Sequence, residues 1–499
     1  MGVSSQQKSL HLLWRAGFGP AVEDLPLLAS AKPGNYYKNL LSASRKPPPY
    51  IDVTDNELKQ LVMGMEENTG MQKQALSDEQ KKTLRIKSRD GLKTLNLAWL
   101  DQMINSPQQL REKMSLFWHG HFATRTVNIF YQQKLLDIIR TNALGNFGDL
   151  LKEVSKSASM INFLNNNQNR KGHPNENFAR EVMELFTLGR GNYTENDVKE
   201  SARAFTGWGA SANGEFVFRE KQHDDGEKTF LGSSGRFNGD DVLKILLEQK
   251  QTARFITEKV YRYFVNTDAD QEKVDWLASR FYKNNYNIEG LMTDIFTSDW
   301  FYNEKNIGAK IKSPVELLVG IRRILPIQIE NEESQLLVQR LLGQVLFYPP
   351  NVAGWPGGKN WIDSSTLMMR LRIPQLMYAG DVFRMKPKDD DDQMMGMKDK
   401  STADNNESIN TAGAGRKNNA AGKKGGQQIM AAISWNGYVK QFEQVVRENL
   451  LVSISQILLQ TKSTVSADTL KNYVDSGSRE SFIKTATIQL MSTPEYQLC

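Results

Sequence analysis

The stretch Ser106-Pro107-Gln108-Gln109-Leu110-Arg111-Glu112-Lys113-Met114-Ser115-Leu116-Phe117-Trp118-His119-Gly120-His121 decides the fold class. Ser106 as N-cap, Pro107 at the first helical position and Gln109 at the third make a capping-box pattern. Leu110, Met114, Phe117 and Trp118 then fall at i, i+4, i+7 and i+8, one buried helical stripe, and Gly120 is a natural stop. The same signals recur along the chain. Thr194 to Asp197 caps a helix carrying Val198, Ala202 and Phe205, and Gln251 to Val265 and Ser313 to Leu325 also read as helices. The expected fold is mainly α, a bundle-like helical array.

One β element interrupts that pattern. Glu215-Phe216-Val217-Phe218-Arg219 alternates polar and apolar, and Lys228-Thr229-Phe230-Leu231 is a partner for it, predicting a small hairpin near 215–232. From Lys386 to about Gln428 the chain turns Asp-, Asn-, Gly- and Lys-rich, with too little apolar surface to offset ordering entropy. The expected organisation is a main helical domain over 1–385, a low-complexity insert over 386–428, and a helical segment over 429–499 packing on the main domain.

The 499 residues are 39% hydrophobic and 24% charged, a globular composition. No apolar run approaches the roughly 18 residues that span a bilayer, so no transmembrane segment is expected. The N-terminal residues lack the basic start and apolar centre of a signal peptide, which points to the cytoplasm. The single cysteine, Cys499, excludes an internal disulfide framework and a thiolate zinc cage. A net charge of +6, with both signs interleaved, gives no basic stripe for nucleic acid. The phosphate-binding loop G-x-x-x-x-G-K-[ST] is absent, as are H-E-x-x-H and G-x-S-x-G, so no nucleotide cofactor is expected.

Polar candidates gather between Trp118 and Gly232. On a helix through Asn177 to Phe186, Glu181 falls inside the edge of the apolar arc made by Phe178, Val182, Leu185 and Phe186, flanked by Asn177 and Glu184. A carboxylate at an apolar border must be ion-paired, metal-bound or protonated. His119-Gly120-His121 would present both imidazoles to one side if the glycine ends the helix. Those histidines, with Glu181 or Glu184 and a ligand from His223-Asp224, would complete a nitrogen and oxygen site for zinc, manganese or iron. The candidate metal ligands are thus His119, His121, Glu184 and His223. The candidate catalytic groups are Glu181 and Asp224 as acid and base, with Lys228 and Arg180 stabilising negative charge. Asn175 and Asn177, in an amide-rich segment opening a helix, and Trp355 and Trp361, in a Pro- and Gly-rich loop, are candidate substrate contacts. The plainer alternative is that these groups form structural ion pairs and packed loops.

Several motifs in order resemble a bacterial family known only as domain of unknown function 1800: HLLWRAGFGP from His11, FWHGHFATR from Phe117, the run from Asn169 to Trp208, HDDGEKTFLG from His223 and PPNVAGWPGG from Pro349. The resemblance implies no settled activity. It also implies company: such proteins are encoded beside a second family, domain of unknown function 1501, which resembles sulfatase-like exported proteins. A partner of that kind, and a periplasmic or envelope location through co-export, follow as expectations. This chain departs from many relatives in carrying Phe186, where histidine is frequent. The leading expectation is a metal-dependent hydrolase acting on a polar, glycan-like ligand. The alternative is a non-catalytic binding or assembly partner of the neighbouring exported protein.

Overall fold

The computed structural model describes residues 2–28, 30–60, 77–211, 213–379, 382–383, 427–428 and 431–499. The low-complexity insert expected over 386–428 lies outside the described residues, apart from Gln427 and Gln428. The described chain is mainly helical, and its strands form two-stranded antiparallel pairs. No described helix is long and apolar enough to cross a membrane.

The Gln109–His121 helix sits deep in the molecule, with every residue but Gly120 buried. The indole nitrogen of Trp118 donates to the Ala143 carbonyl at 3.1 Å and that of Trp99 to Glu112 at 2.9 Å, so both rings are buried with their polar edge satisfied. Two details differ from the sequence reading. Ser106 ends the preceding Asp78–Asn105 helix rather than opening the next one, and the Gln109 amide bridges the junction, donating to the Met103 and Ser106 carbonyls. Gly120 does not stop the helix, which runs on through His121.

Across the chain, Gly354 has φ +82°, and a Cβ there would collide with the Gly120 carbonyl oxygen. The helix and the 349–361 loop therefore meet backbone to backbone. Gly354 supplies closeness that any side chain would deny, whereas a Cβ at Gly120 would meet nothing within 4 Å.

The predicted hairpin becomes two. Phe216–Phe218 pairs with Trp208–Ala210 (Gly209 opposite Val217), while Lys228–Phe230 pairs with Ser233–Gly235. Each strand takes its nearer neighbour because a tight turn is at hand: Asn213 and Gly214 close the first, and Leu231 and Gly232, at φ 47° and 82°, close the second.

One hydrophobic cluster runs from Leu10 to Tyr496. The C-terminal segment is joined to it by Ile327–Ile329 pairing with Ala431–Ile433, by the Lys312 amide donating to Gln497 at 2.8 Å, and by the Cys499 amide donating to Lys310 at 2.8 Å.

Candidate functional site

The segment around Asn177 to Lys228 is dense in charge, and most of its candidate groups have partners. Arg180 forks onto Glu195 at 2.7 and 2.8 Å and also reaches Glu176. Glu184 accepts from Arg190 at 2.7 Å and from the Tyr193 hydroxyl at 2.6 Å, which together hold its carboxyl below the usual range. Asp224 accepts from Arg203 at 2.9 Å and from the Gly226 amide, and its carboxyl is held down to about 2 by the Arg203 bond. Lys228 is buried and donates to the Asp224 and Gly226 carbonyls; burial lowers its ammonium. His223 is buried with Nδ1 beside the Thr206 carbonyl at 3.0 Å. The candidate amides are structural as well. Asn175 receives the Asn177 amide on its side chain, and the Asn177 side chain donates to the Leu164 carbonyl. Glu181 differs: half-buried, it has neither hydrogen bond nor ion pair to its carboxylate among the described residues, and burial raises its carboxyl.

The two histidines of the H-x-H pair are sent to different neighbours. Two residues apart on a helix, they diverge by about 200°. His119 is buried among Trp99, Phe347 and Trp355, and its Nε2 accepts the Phe347 amide at 3.1 Å. Burial drives its imidazolium down to about 3, so the ring is neutral. His121 Nε2 lies 3.3 Å from the Phe186 carbonyl, and Nδ1 lies 3.2 Å from the Lys259 ammonium. The Phe186 ring stands 5.9 Å from that imidazole, so the position where histidine is frequent in the resembling family adjoins His121. The expectation that Gly120 aims both imidazoles to one side is corrected by the helix running through. Among the described residues, no three His, Cys, Asp or Glu side chains are gathered as a metal ion would need.

His121 instead opens into a cleft of about 570 Å³. One wall is the end of the Gln109–His121 helix, with Phe117 and Gly120; a second is the Lys250–Phe264 helix, with Lys259, Arg262 and Tyr263. The third is the glycine-rich loop with Trp355, Lys359 and Trp361, and the floor holds Lys310, Ser313 and Glu316. Lys259 donates to the Leu185 carbonyl at 3.0 Å as well as to His121, and burial brings its ammonium down to about 8. A proton can thus leave or enter it near neutral pH.

Glu316 is fully buried at the start of the Pro314–Ile324 helix, where Ser313 and Glu316 cap each other. Burial pushes its carboxyl up, but Lys113 and Lys310 outweigh that and hold it well below the usual range. Lys113 and Lys312, also buried, are brought down to about 8 and about 7 by burial. Lys312 lies 3.6 Å over Trp14 and 3.9 Å over Tyr496, cation on aromatic face.

Two larger openings, of about 770 and 750 Å³, are lined by neither histidine nor tryptophan. Of the candidates read from sequence, His121, Trp355 and Trp361 line the 570 Å³ cleft, and His119 stands behind it against Trp355. Glu181, Glu184, Arg180, Asp224, Lys228, His223, Asn175 and Asn177 are not among its lining residues. Lys259, Tyr263, Lys310 and Glu316 were missed. The signal for them was present: a lysine one turn from aromatic residues on either side, and the crowded Lys310-Ile311-Lys312-Ser313-Pro314-Val315-Glu316.

No curated protein and no solved structure matches this chain. A family model, however, matches from His11 to Leu498, across all three walls of the cleft and its floor. The chain belongs to the family described as Protein of unknown function (DUF1800), matched over residues 11–498.

Proposed function

We propose that this protein is an enzyme, hydrolytic in class, that binds a polar, glycan-like substrate in the cleft beside Lys259 and His121. The observation that carries the reading is the Lys259 ammonium set 3.2 Å from His121 Nδ1 inside an aromatic-walled opening. The pair supplies a proton donor and acceptor near neutral pH, and Trp355, with the more buried Trp361 beside it in the lining, supplies apolar surface of the kind a sugar ring packs on. The donor set read from sequence does not fit a divalent metal in this arrangement, and no step here runs through one. Element analysis of untagged protein for zinc, manganese and iron keeps the metal-dependent form testable: stoichiometric metal lost in His119→Ala would restore it.

The test is a panel of neutral and charged oligosaccharides, read by tryptophan fluorescence and by product release. Saturable quenching is expected, with affinity reduced about tenfold or more in Trp355→Ala, the loss typical of an aromatic contact near 1.4 kcal/mol. Neither quenching nor product from any member would overturn the reading.

A second reading is favoured by the ion pairs of Arg180, Glu184 and Asp224, which are engaged as a scaffold would engage them. In it the protein is a non-catalytic binding or assembly partner of a sulfatase-like exported protein of the domain of unknown function 1501 family, placed in the envelope by co-export. Co-purification from envelope and cytoplasmic fractions tests it. Binding without turnover, with the partner retained across salt, would favour this reading over the first.

A further inference from the structure

The cleft carries more positive charge than its own carboxylates answer. Lys259, Arg262, Lys310 and Lys359 line it, against Asp268 and Glu316. Glu316 is already engaged, one oxygen with Lys113 and Lys310 and the other with the Ser313 amide. Arg262 is held by Glu258. Lys259 has a histidine nitrogen and a carbonyl as its acceptors, and no carboxylate of the described residues pairs with it.

Tyr263 lines the same cleft. It follows Lys259 by one helical turn, and the Lys310 ammonium lies 3.8 Å from the centre of its ring. Its hydroxyl is buried and has no hydrogen-bond partner. A buried donor without an acceptor lacks the bond it would make to an oxyanion, and charge-assisted bonds to such a group are the strong ones. The aromatic faces of Trp355 and Trp361 suit the uncharged remainder of a ring-bearing ligand.

Resting on the cleft as the ligand site, we infer that its ligand is an acidic sugar, whose carboxylate or sulfate is held by Lys259, Lys310 and the Tyr263 hydroxyl. The ring of that sugar lies along the two tryptophans. Hydrolysis, if it occurs there, then acts on an acidic glycan and not on a neutral one.

The experiment measures binding of glucuronate, glucose 6-sulfate, glucose and inorganic sulfate to the full chain at neutral pH. Both acidic sugars are expected to bind about tenfold or more tighter than glucose, and to weaken several-fold in about 0.5 M salt. Which acidic sugar binds better distinguishes carboxylate from sulfate as the recognised group.

Tyr263→Phe removes only the unpartnered hydroxyl, so the fold is kept. It is expected to weaken the acidic sugars about three- to tenfold, the range of one lost hydrogen bond, and to leave glucose unchanged. Lys259→Met is expected to abolish the preference, with its melting temperature followed in parallel. Glucose binding as tightly as glucuronate, or a preference untouched by Tyr263→Phe, would overturn the inference while leaving the cleft as a sugar site. Inorganic sulfate binding as tightly as the acidic sugars would overturn the sugar part of it. No binding by any sugar would instead remove the functional reading on which it rests.

Discussion

Two regions of this molecule hold most of its chemically capable side chains and treat them in opposite ways. From Glu176 to Lys228, Arg180 answers Glu195, Arg190 answers Glu184 and Arg203 answers Asp224, each at 2.7–2.9 Å and reached by solvent. In and behind the cleft, three lysines and a carboxylate are buried, and Lys259 meets an imidazole, a carbonyl and the Phe255 ring but no carboxylate among the described residues. The first region is a set of completed pairs that fastens helices to loops. The second keeps cations short of partners, at the cost of desolvating them. Crowding of functional groups along a sequence therefore marks mutual neutralisation as readily as chemistry. Groups with capacity to spare come here from segments far apart in the chain.

Breaking the buried side of this comparison gives the largest expected effect. Glu316→Gln leaves Lys113 and Lys310 without their carboxylate, and a loss of about 3–5 kcal/mol is expected in urea unfolding. A loss below about 1 kcal/mol would mean that the lysines are neutral or hydrated there. On the paired side, Asp224→Asn takes the charge from the Arg203 bonds. It is expected to cost about 1–2 kcal/mol and to leave sugar binding unchanged. Lost binding in a folded Asp224→Asn variant would erase the division between the two regions.

pH sharpens the comparison further. The Lys312 ammonium titrates at about 7 in the folded chain against 10.5 when free, so between those values the unfolded chain binds more protons. Stability from this group therefore rises with pH, by at most about 1.4 kcal/mol per unit, and Lys312→Met should flatten the rise in melting temperature from about pH 7 to 9. An identical slope in wild type and variant would show that Lys312 keeps its proton. The smallest effect belongs to the paired surface: Glu184→Gln should cost less than about 1 kcal/mol, measured by the same unfolding, because Arg190 is exposed.

The helices were legible because their signals are local. Thr194 and Asp197 cap each other as their spacing implies, and Ser313 does the same with Glu316. The H-x-H geometry was not legible, because Gly120 reads locally as a stop. The helix nevertheless runs through it to His121, and the glycine that packing requires is Gly354, more than 200 residues on. The strand pairing is not legible for a related reason: two competing turns, at Asn213-Gly214 and Leu231-Gly232, lie closer to the strands than the long link between residues 219 and 228. Trp355 and Trp361 were picked out by their unusual loop, and both line the cleft. Lys259 carries no local mark beyond its aromatic neighbours, since its environment is built by His121 and Leu185 from other helices.

The contact between Gly120 and Gly354 reaches beyond local packing. The cleft is bounded at Gly120, where two stretches of backbone meet with no side chain acting as spacer between them. Its width is therefore a fixed caliper that single substitutions cannot adjust by a little. Gly354 admits no larger residue without driving the loop away from the Gly120 carbonyl. Descendants of this chain can diversify what the cleft accepts by changing Trp355, Lys359 or Trp361. Widening it demands a change of loop length, an insertion or deletion, and relatives with bulkier ligands should differ from this chain there in length before they differ in composition.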